Sequence, residues 1–346
     1  MTTDLLTRVR CAPDLDARIA SVSVADELTR RGLITGGLGA AVALGLTGCG
    51  DDSSTSDDKA DDAGGAKTAT RRRVSTIHGT VEVPLNPQRI VAFDFPEACA
   101  LLDLGVAPVG RPSYMPAFAP YTTALHQVPA IDEASTGDLV LEKIAALTPD
   151  LILGDDWADP QQQHQPYSKL AAIAPTAIFA WQQAAGNWPA LAAQTAAAIG
   201  KTADLNTLKH RYAAKAASIQ HTDRSLFART RWDLIDCGKD YWDLYSASSS
   251  HGHVLTGAGV RLGVGATQKT GYKQYSLEQL GMLAHTDVIV TTPVSLPFLH
   301  KQALFEGLPA VRAGHVYTTD LFFPASYGIA LALLDGLTRI CDQLAG

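Results

Sequence analysis

Leu141-Glu-Lys-Ile-Ala-Ala-Leu-Thr-Pro-Asp-Leu-Ile-Leu-Gly154 reads as a short amphipathic helix followed by a buried strand. Leu141, Ile144 and Leu147 recur at helical spacing, and the run after Asp150 is short and wholly apolar. Leu277-Glu-Gln-Leu-Gly-Met-Leu-Ala-His-Thr-Asp-Val-Ile-Val290 repeats the pattern, with one extra residue before the Asp. A helix–strand unit that returns this faithfully, Leu-Glu pair included, predicts an α/β fold of two similar lobes.

The neighbouring segments agree. In the first half, Arg89–Phe93 reads as a strand, Pro96–Leu104 as a helix stopped by Gly105, and Pro108–Gly110 and Pro175–Phe179 as further strands. In the second half, Arg231–Asp236, Asp287–Val290 and Val316–Thr319 read as strands and His253–Gly259 as a helix. These assign an N-terminal lobe to residues 74–200 and a C-terminal lobe to residues 223–346. Between them, residues 201–222 are almost all helix formers, and Thr202–Gln220 contains neither Pro nor Gly. Such a segment forms a single long inter-lobe helix of roughly 28 Å. A helical connector resists bending, so the ligand cleft between the lobes is expected to keep a nearly fixed shape.

Residues 1–48 have a different character. Arg30-Arg31 precede an uncharged run from Leu33 to Gly48 that is rich in Gly, Ala and Leu. Its length corresponds to roughly 24 Å of helix, short of the ~30 Å hydrocarbon core. The run therefore reads as the apolar region of a cleaved export signal, of twin-arginine type with a long leading region. Leu46-Thr-Gly-Cys49 resembles the lipobox of bacterial lipoproteins, which implies lipidation of Cys49 and a place at the outer face of the cytoplasmic membrane. No function attaches to residues 1–28. Residues 49–73 hold six Asp among small polar residues and read as a disordered tether, with a reach of roughly 25 Å.

Charge and cysteines exclude several functions. The whole chain carries a formal net charge of −7, but residues 71–346 hold 21 Lys and Arg against 24 Asp and Glu. A body so near neutrality gives no reason to expect nucleic-acid binding. Cys99, Cys237 and Cys341 are too sparse for a disulfide framework or a zinc site and read as buried thiols, with a Cys237–Cys341 pair left open. There is no GxSxG, HExxH or P-loop. His251-Gly-His253 lacks neighbouring Cys or carboxylate ligands and reads as a pair of loop polar groups, so no metal site and no cofactor is expected.

What the strand-end loops do offer is aromatic. Arg111 and Tyr114 follow the second strand, Trp157 the Asp150 strand and Trp181 the Pro175 strand. Tyr241, Trp242 and Tyr245 follow the Arg231 strand, Phe298 the Asp287 strand, and Tyr327 the Val316 strand. Ligands of open α/β sheets bind beyond the carboxyl ends of strands. These nine residues are the candidate cleft wall.

Here the chain resembles the substrate-binding lipoproteins of ABC importers for ferric siderophores, haem and cobalamin. The residues that carry the resemblance are His78–Val91, Leu102–Gly110, Leu141–Ile152, Leu280–Val290 and Leu308–Tyr317. It implies a monomer that captures cargo without chemistry and delivers it to a membrane permease dimer. It also implies that Glu142 and Glu278, one per lobe, dock on that permease. Basic residues near the cleft are few (Arg111, Lys239 and Lys273), which favours a near-neutral ferric hydroxamate over an anionic ferric catecholate. Haem or cobalamin is the alternative cargo. A metal-ion binding lipoprotein and a surface hydrolase are the rival classes.

Overall fold

The computed structural model describes residues 70–345 except 117, 157–165 and 182–187. The export signal, Cys49, most of the tether and Trp157 lie outside the described residues.

The described residues begin with a hairpin, β1 (Arg71–Thr76) and β2 (Gly79–Pro84), paired antiparallel from Arg71 opposite Pro84 to Thr76 opposite Gly79. β1 thus takes in the last three residues assigned to the tether. The reason is visible at Arg72, whose guanidinium donates to the Leu85 carbonyl and, at 3.3 Å, to the Ala197 carbonyl. A Cβ on Gly200 would run into the same guanidinium, and Gly200 sits at φ +77° where the polypeptide turns between two helices.

The N-terminal lobe is built on a three-stranded parallel sheet in the order β3 (Ile90–Ala92), β4 (Leu151–Asp156), β5 (Thr176–Ala180). Its helices are α1 (Phe95–Asp103), α2 (Ala119–Ala124), α3 (Leu141–Ala146) and α4 (Tyr167–Ile173). Pro108–Gly110 forms only a bridge, Val91 to Gly110, rather than a full strand. α5 (Trp188–Ile199) and the 21-residue α6 (Thr202–Thr222) follow, then α7 (Arg224–Arg229).

The C-terminal lobe holds five strands in the order β10-β9-β6-β7-β8: β6 (Trp232–Cys237), β7 (Tyr241–Tyr245), β8 (Tyr272–Ser276), β9 (Val288–Thr291) and β10 (Val316–Thr318). β6, β9 and β10 are parallel, whereas β7 pairs antiparallel with both β6 and β8. α8 (Ser250–Gly257), α9 (Leu296–Leu299), α10 (Ala303–Glu306), α11 (Pro309–Arg312) and α12 (Tyr327–Ala345) complete it, with a 3₁₀ helix over Leu277–His285.

The sequence repeat has a physical counterpart. Asp150 accepts the N–H groups of Gln88 and Arg89 at 2.7 and 2.9 Å, tying the start of β4 to the start of β3. Asp287 accepts the Arg231 N–H at 2.8 Å and ties β9 to β6 in the same way. The lobes differ in the β7–β8 addition, so the likeness extends to the parallel core only.

One apolar cluster runs through both lobes. It includes Leu101, Phe179 and Trp188 on one side, Trp232, Tyr245 and Leu334 on the other, and Leu205, Ala216 and Ile219 of α6. α6 packs along α12, with Tyr212 edge-on to Tyr327 and Lys215 paired to Asp335. The connector is therefore embedded in the shared core rather than free-standing. Cys99, Cys237 and Cys341 are buried free thiols.

Candidate functional site

The carboxyl ends of the N-lobe strands converge on an aromatic group. After β3, Asp94 caps α1 by accepting the Phe95 N–H at 2.7 Å, which orients the Phe95 ring. Tyr114 meets that ring edge-on at 5.5 Å, and Trp181, just past β5, lies 6.4 Å from it. Tyr114 is half exposed and Trp181 partly buried. Two of the expected wall residues are thus brought together, by a phenylalanine that was not among them.

Arg111 is held by its own loop. Its Nη1 donates to the carbonyls of Pro112 and Ser113 at 2.8 and 3.3 Å, so the guanidinium braces its own loop. The Asp132 carboxylate holds the same loop through the Ser113 N–H and hydroxyl.

In the C-lobe, Tyr241, Trp242 and Tyr245 are not loop residues; they belong to β7 and alternate across it. Trp242 and Leu244 face a second core cluster behind the sheet, where Trp242 is fully buried, stacks on Tyr275 at 5.1 Å and donates its Nε1–H to the Ser276 carbonyl at 3.0 Å. That removes Trp242 from the wall. Phe298 packs against the same rear cluster and is removed with it. Tyr327 is buried against Trp188 and Tyr212, at 4.8 and 5.7 Å, and is a core residue.

Tyr241, Asp243 and Tyr245 share the opposite face. The Tyr245 hydroxyl donates to Asp236 at 3.3 Å, and Asp236 stands directly opposite Asp243 in the β6–β7 register. Around Tyr245 stand Tyr272, Phe322, Phe323 and His251, with ring centroids 4.5–5.9 Å away. Burial, then the charges of Asp243 and Asp236, push the Tyr272 hydroxyl up to about 12. His251 is wholly buried in α8, which corrects its reading as a loop group, and burial lowers its imidazole to about 3. Trp181 of the N-lobe and Tyr272 and Phe323 of the C-lobe are all partly buried and border the same large apolar cluster, which spans both lobes.

Carboxylates outnumber bases around these walls. Asp94, Asp155 and Asp156 stand at the N-lobe strand ends, and Asp236 and Asp243 at those of the C-lobe. Glu97, in the first turn of α1, is buried, and that burial and then the Asp94 charge raise it far above the usual carboxylate range. Lys273 lies over the Tyr275 ring, on the rear face of the sheet. Among the described residues no group of three or more His, Cys, Asp or Glu is arranged to hold a metal ion. No described helix is long and apolar enough to cross a membrane.

The family profile described as periplasmic binding protein matches residues 101–321. The chain belongs to that family. Its relatives include YhfQ of Bacillus subtilis (strain 168), named as an ABC transporter substrate-binding lipoprotein, 26% identical across 81% of this chain and 90% of that one. YfiY of the same organism, named as a siderophore-binding lipoprotein, is 35% identical over 119 residues, 34% of this chain and 35% of YfiY. The fold matches that of the siderophore periplasmic binding protein from the fuscachelin gene cluster of Thermobifida fusca, with a TM-score of 0.65, 24% identity, and coverage of 75% of this chain and 98% of that one.

In this binding protein Glu142 and Glu278 are both exposed, each the second residue of a short helix. Hydrogen bonds from the Ser276 hydroxyl and the residue's own N–H hold the Glu278 carboxyl below its usual value. Gln279 Oε1 accepts the Ser276 N–H at 3.3 Å and closes a capping box that fixes the start of that helix.

Proposed function

We propose that this binding protein captures a ferric siderophore of hydroxamate type in the inter-lobe cleft and passes it, unchanged, to an ABC permease dimer. It works as a monomer, tethered through lipidated Cys49 to the outer face of the cytoplasmic membrane after twin-arginine export. Glu142 and Glu278 contact one permease subunit each.

The observation that carries this reading is that Trp181 of the N-lobe, itself grouped with Phe95 and Tyr114, and Tyr272 and Phe323 of the C-lobe border the same apolar cluster. Such walls suit a bulky, weakly polar complex held by a few donors. The charges argue for the cargo class. A ferric tris-catecholate carries a large negative charge that needs cationic partners on leaving water. The strand ends here supply carboxylates, and Arg111 donates through Nη1 to loop carbonyls. A near-neutral ferric hydroxamate meets neither obstacle. The siderophore-binding names of YfiY and the Thermobifida protein support a siderophore as the cargo, without distinguishing its chemical type.

The test is uptake of iron-55 from a ferric hydroxamate by cells lacking the gene. Uptake should fall and return with the wild-type copy. Undiminished uptake in the deletion strain would remove the assignment.

A further inference from the structure

The first turn of α12 is capped from the other lobe. A helix start leaves N–H groups without intrahelical partners, and these are usually met by a local side chain. In α12 the local Ser326 Oγ accepts the Ile329 N–H at 3.5 Å, and the Gly328 N–H donates to Asp103 Oδ2 at 2.7 Å. Asp103 is the last residue of α1 in the N-lobe. The Tyr121 hydroxyl, from α2 of the same lobe, donates to Asp103 Oδ1 and lies 2.6 Å from Ser326 Oγ, at the head of α12. Cys99, Tyr121 and Ile329 enclose this polar group in a small apolar cluster of their own.

Position 328 shows how close the approach is. A Cβ there would overlap Asp103 Oδ1 and stand 2.7 Å from the Tyr121 hydroxyl oxygen. Only glycine lets α12 come this near to α1 and α2.

We infer that Asp103, Tyr121, Ser326 and Gly328 form an inter-lobe pin that sets the opening angle of the cleft. α6, α12 and the shared core join the lobes by apolar packing, and packed apolar surfaces can slide on one another. The directional bonds of Asp103 and Tyr121 to the head of α12 restrict that sliding. Cargo therefore enters and leaves a cleft of preset width, whatever the cargo is, and the pin must yield for the lobes to part.

The test is a spin-label distance measurement on the full mature lipoprotein in detergent. Labels at Ser168→Cys in α4 and Ala284→Cys in the C-lobe report the separation, since both positions are exposed and Cys99, Cys237 and Cys341 are buried. The otherwise unaltered protein should give one narrow distance. Tyr121→Phe removes a single oxygen and Gly328→Ala forces the elements apart; each should broaden the distribution and move it, with helix content retained. Should Gly328→Ala fail to fold, Tyr121→Phe decides alone. A broad distribution in the parent protein, or a Tyr121→Phe trace superimposable on it, overturns the pin.

Discussion

Glu142 and Glu278 occupy equivalent places: each follows a leucine, each is the second residue of a short helix, and each helix leads into a parallel strand tied down by an aspartate. Complementing a helix start is worth about 0.3–1 kcal/mol and would explain one such carboxylate. It does not call for the same Leu-Glu in both lobes. Glu142→Ala/Glu278→Ala should bind cargo as wild type does, melt within a few degrees of it and fail to support iron uptake. Uptake by the double variant would end the docking role, and loss of binding would move both residues into the cleft.

The two faces of β7 should separate stability from binding. Trp242→Ala opens a hole in the rear core and should cost about 3–5 kcal/mol of stability in denaturant titration. Trp181→Ala, on the wall, should leave the melt nearly unchanged and weaken cargo binding by about 1.5–3 kcal/mol, the worth of one large apolar side chain buried. Arg111→Ala should behave as a loop variant, losing some thermal stability and keeping its affinity. A large affinity loss in Arg111→Ala would return that residue to the site.

His251 gives a pH signature. Its folded value, about 3, lies below the ordinary 6.5, so between those limits the unfolded polypeptide binds the extra proton. The contribution to stability is complete above pH 6.5 and drains away as pH falls toward 3. His251→Phe should therefore show a shallower loss of melting temperature between pH 6.5 and 4 than wild type. Parallel curves for the two proteins would show that His251 is not the group responsible.

Lipid attachment is tested by growing cells with a clickable fatty acid. Wild type should incorporate label and Cys49→Ala should not. Equal labelling would place the anchor elsewhere.

The parallel core of each lobe was legible because its signals are local. Asp150 and Asp287 precede short apolar runs, and both runs form strands, β4 and β9. The long helix was equally plain, since Thr202–Thr222 lacks Gly and Pro. β7 and β8 were missed because Tyr241–Tyr245 mixes aromatics with Asp243 and shows no clean apolar alternation; cross-strand pairing with β6 decides its state. That is also why Trp242 was misassigned: its face depends on strand register, which a list of aromatics does not encode. Phe95 and Tyr272 escaped notice for the complementary reason, as their meeting with other rings is tertiary. His251 carried one usable signal, its place just inside a Ser-capped helix start, where Ser249 Oγ accepts the Gly252 N–H. The Nη1 bonds of Arg111 to the Pro112 and Ser113 carbonyls are another contact that no local signal reveals.

The most direct measurement is a fluorescence titration of the mature lipoprotein with chemically distinct ferric siderophores and with haem. If Trp181 lines the proposed cleft, an absorbing iron complex held beside it should quench its emission. A ferric tris-hydroxamate is expected to give saturable quenching that shrinks in Trp181→Phe, while a ferric tris-catecholate binds far more weakly. Saturable binding of the catecholate alone would reverse the charge argument, and no saturable response to any ferric siderophore would contradict the account itself.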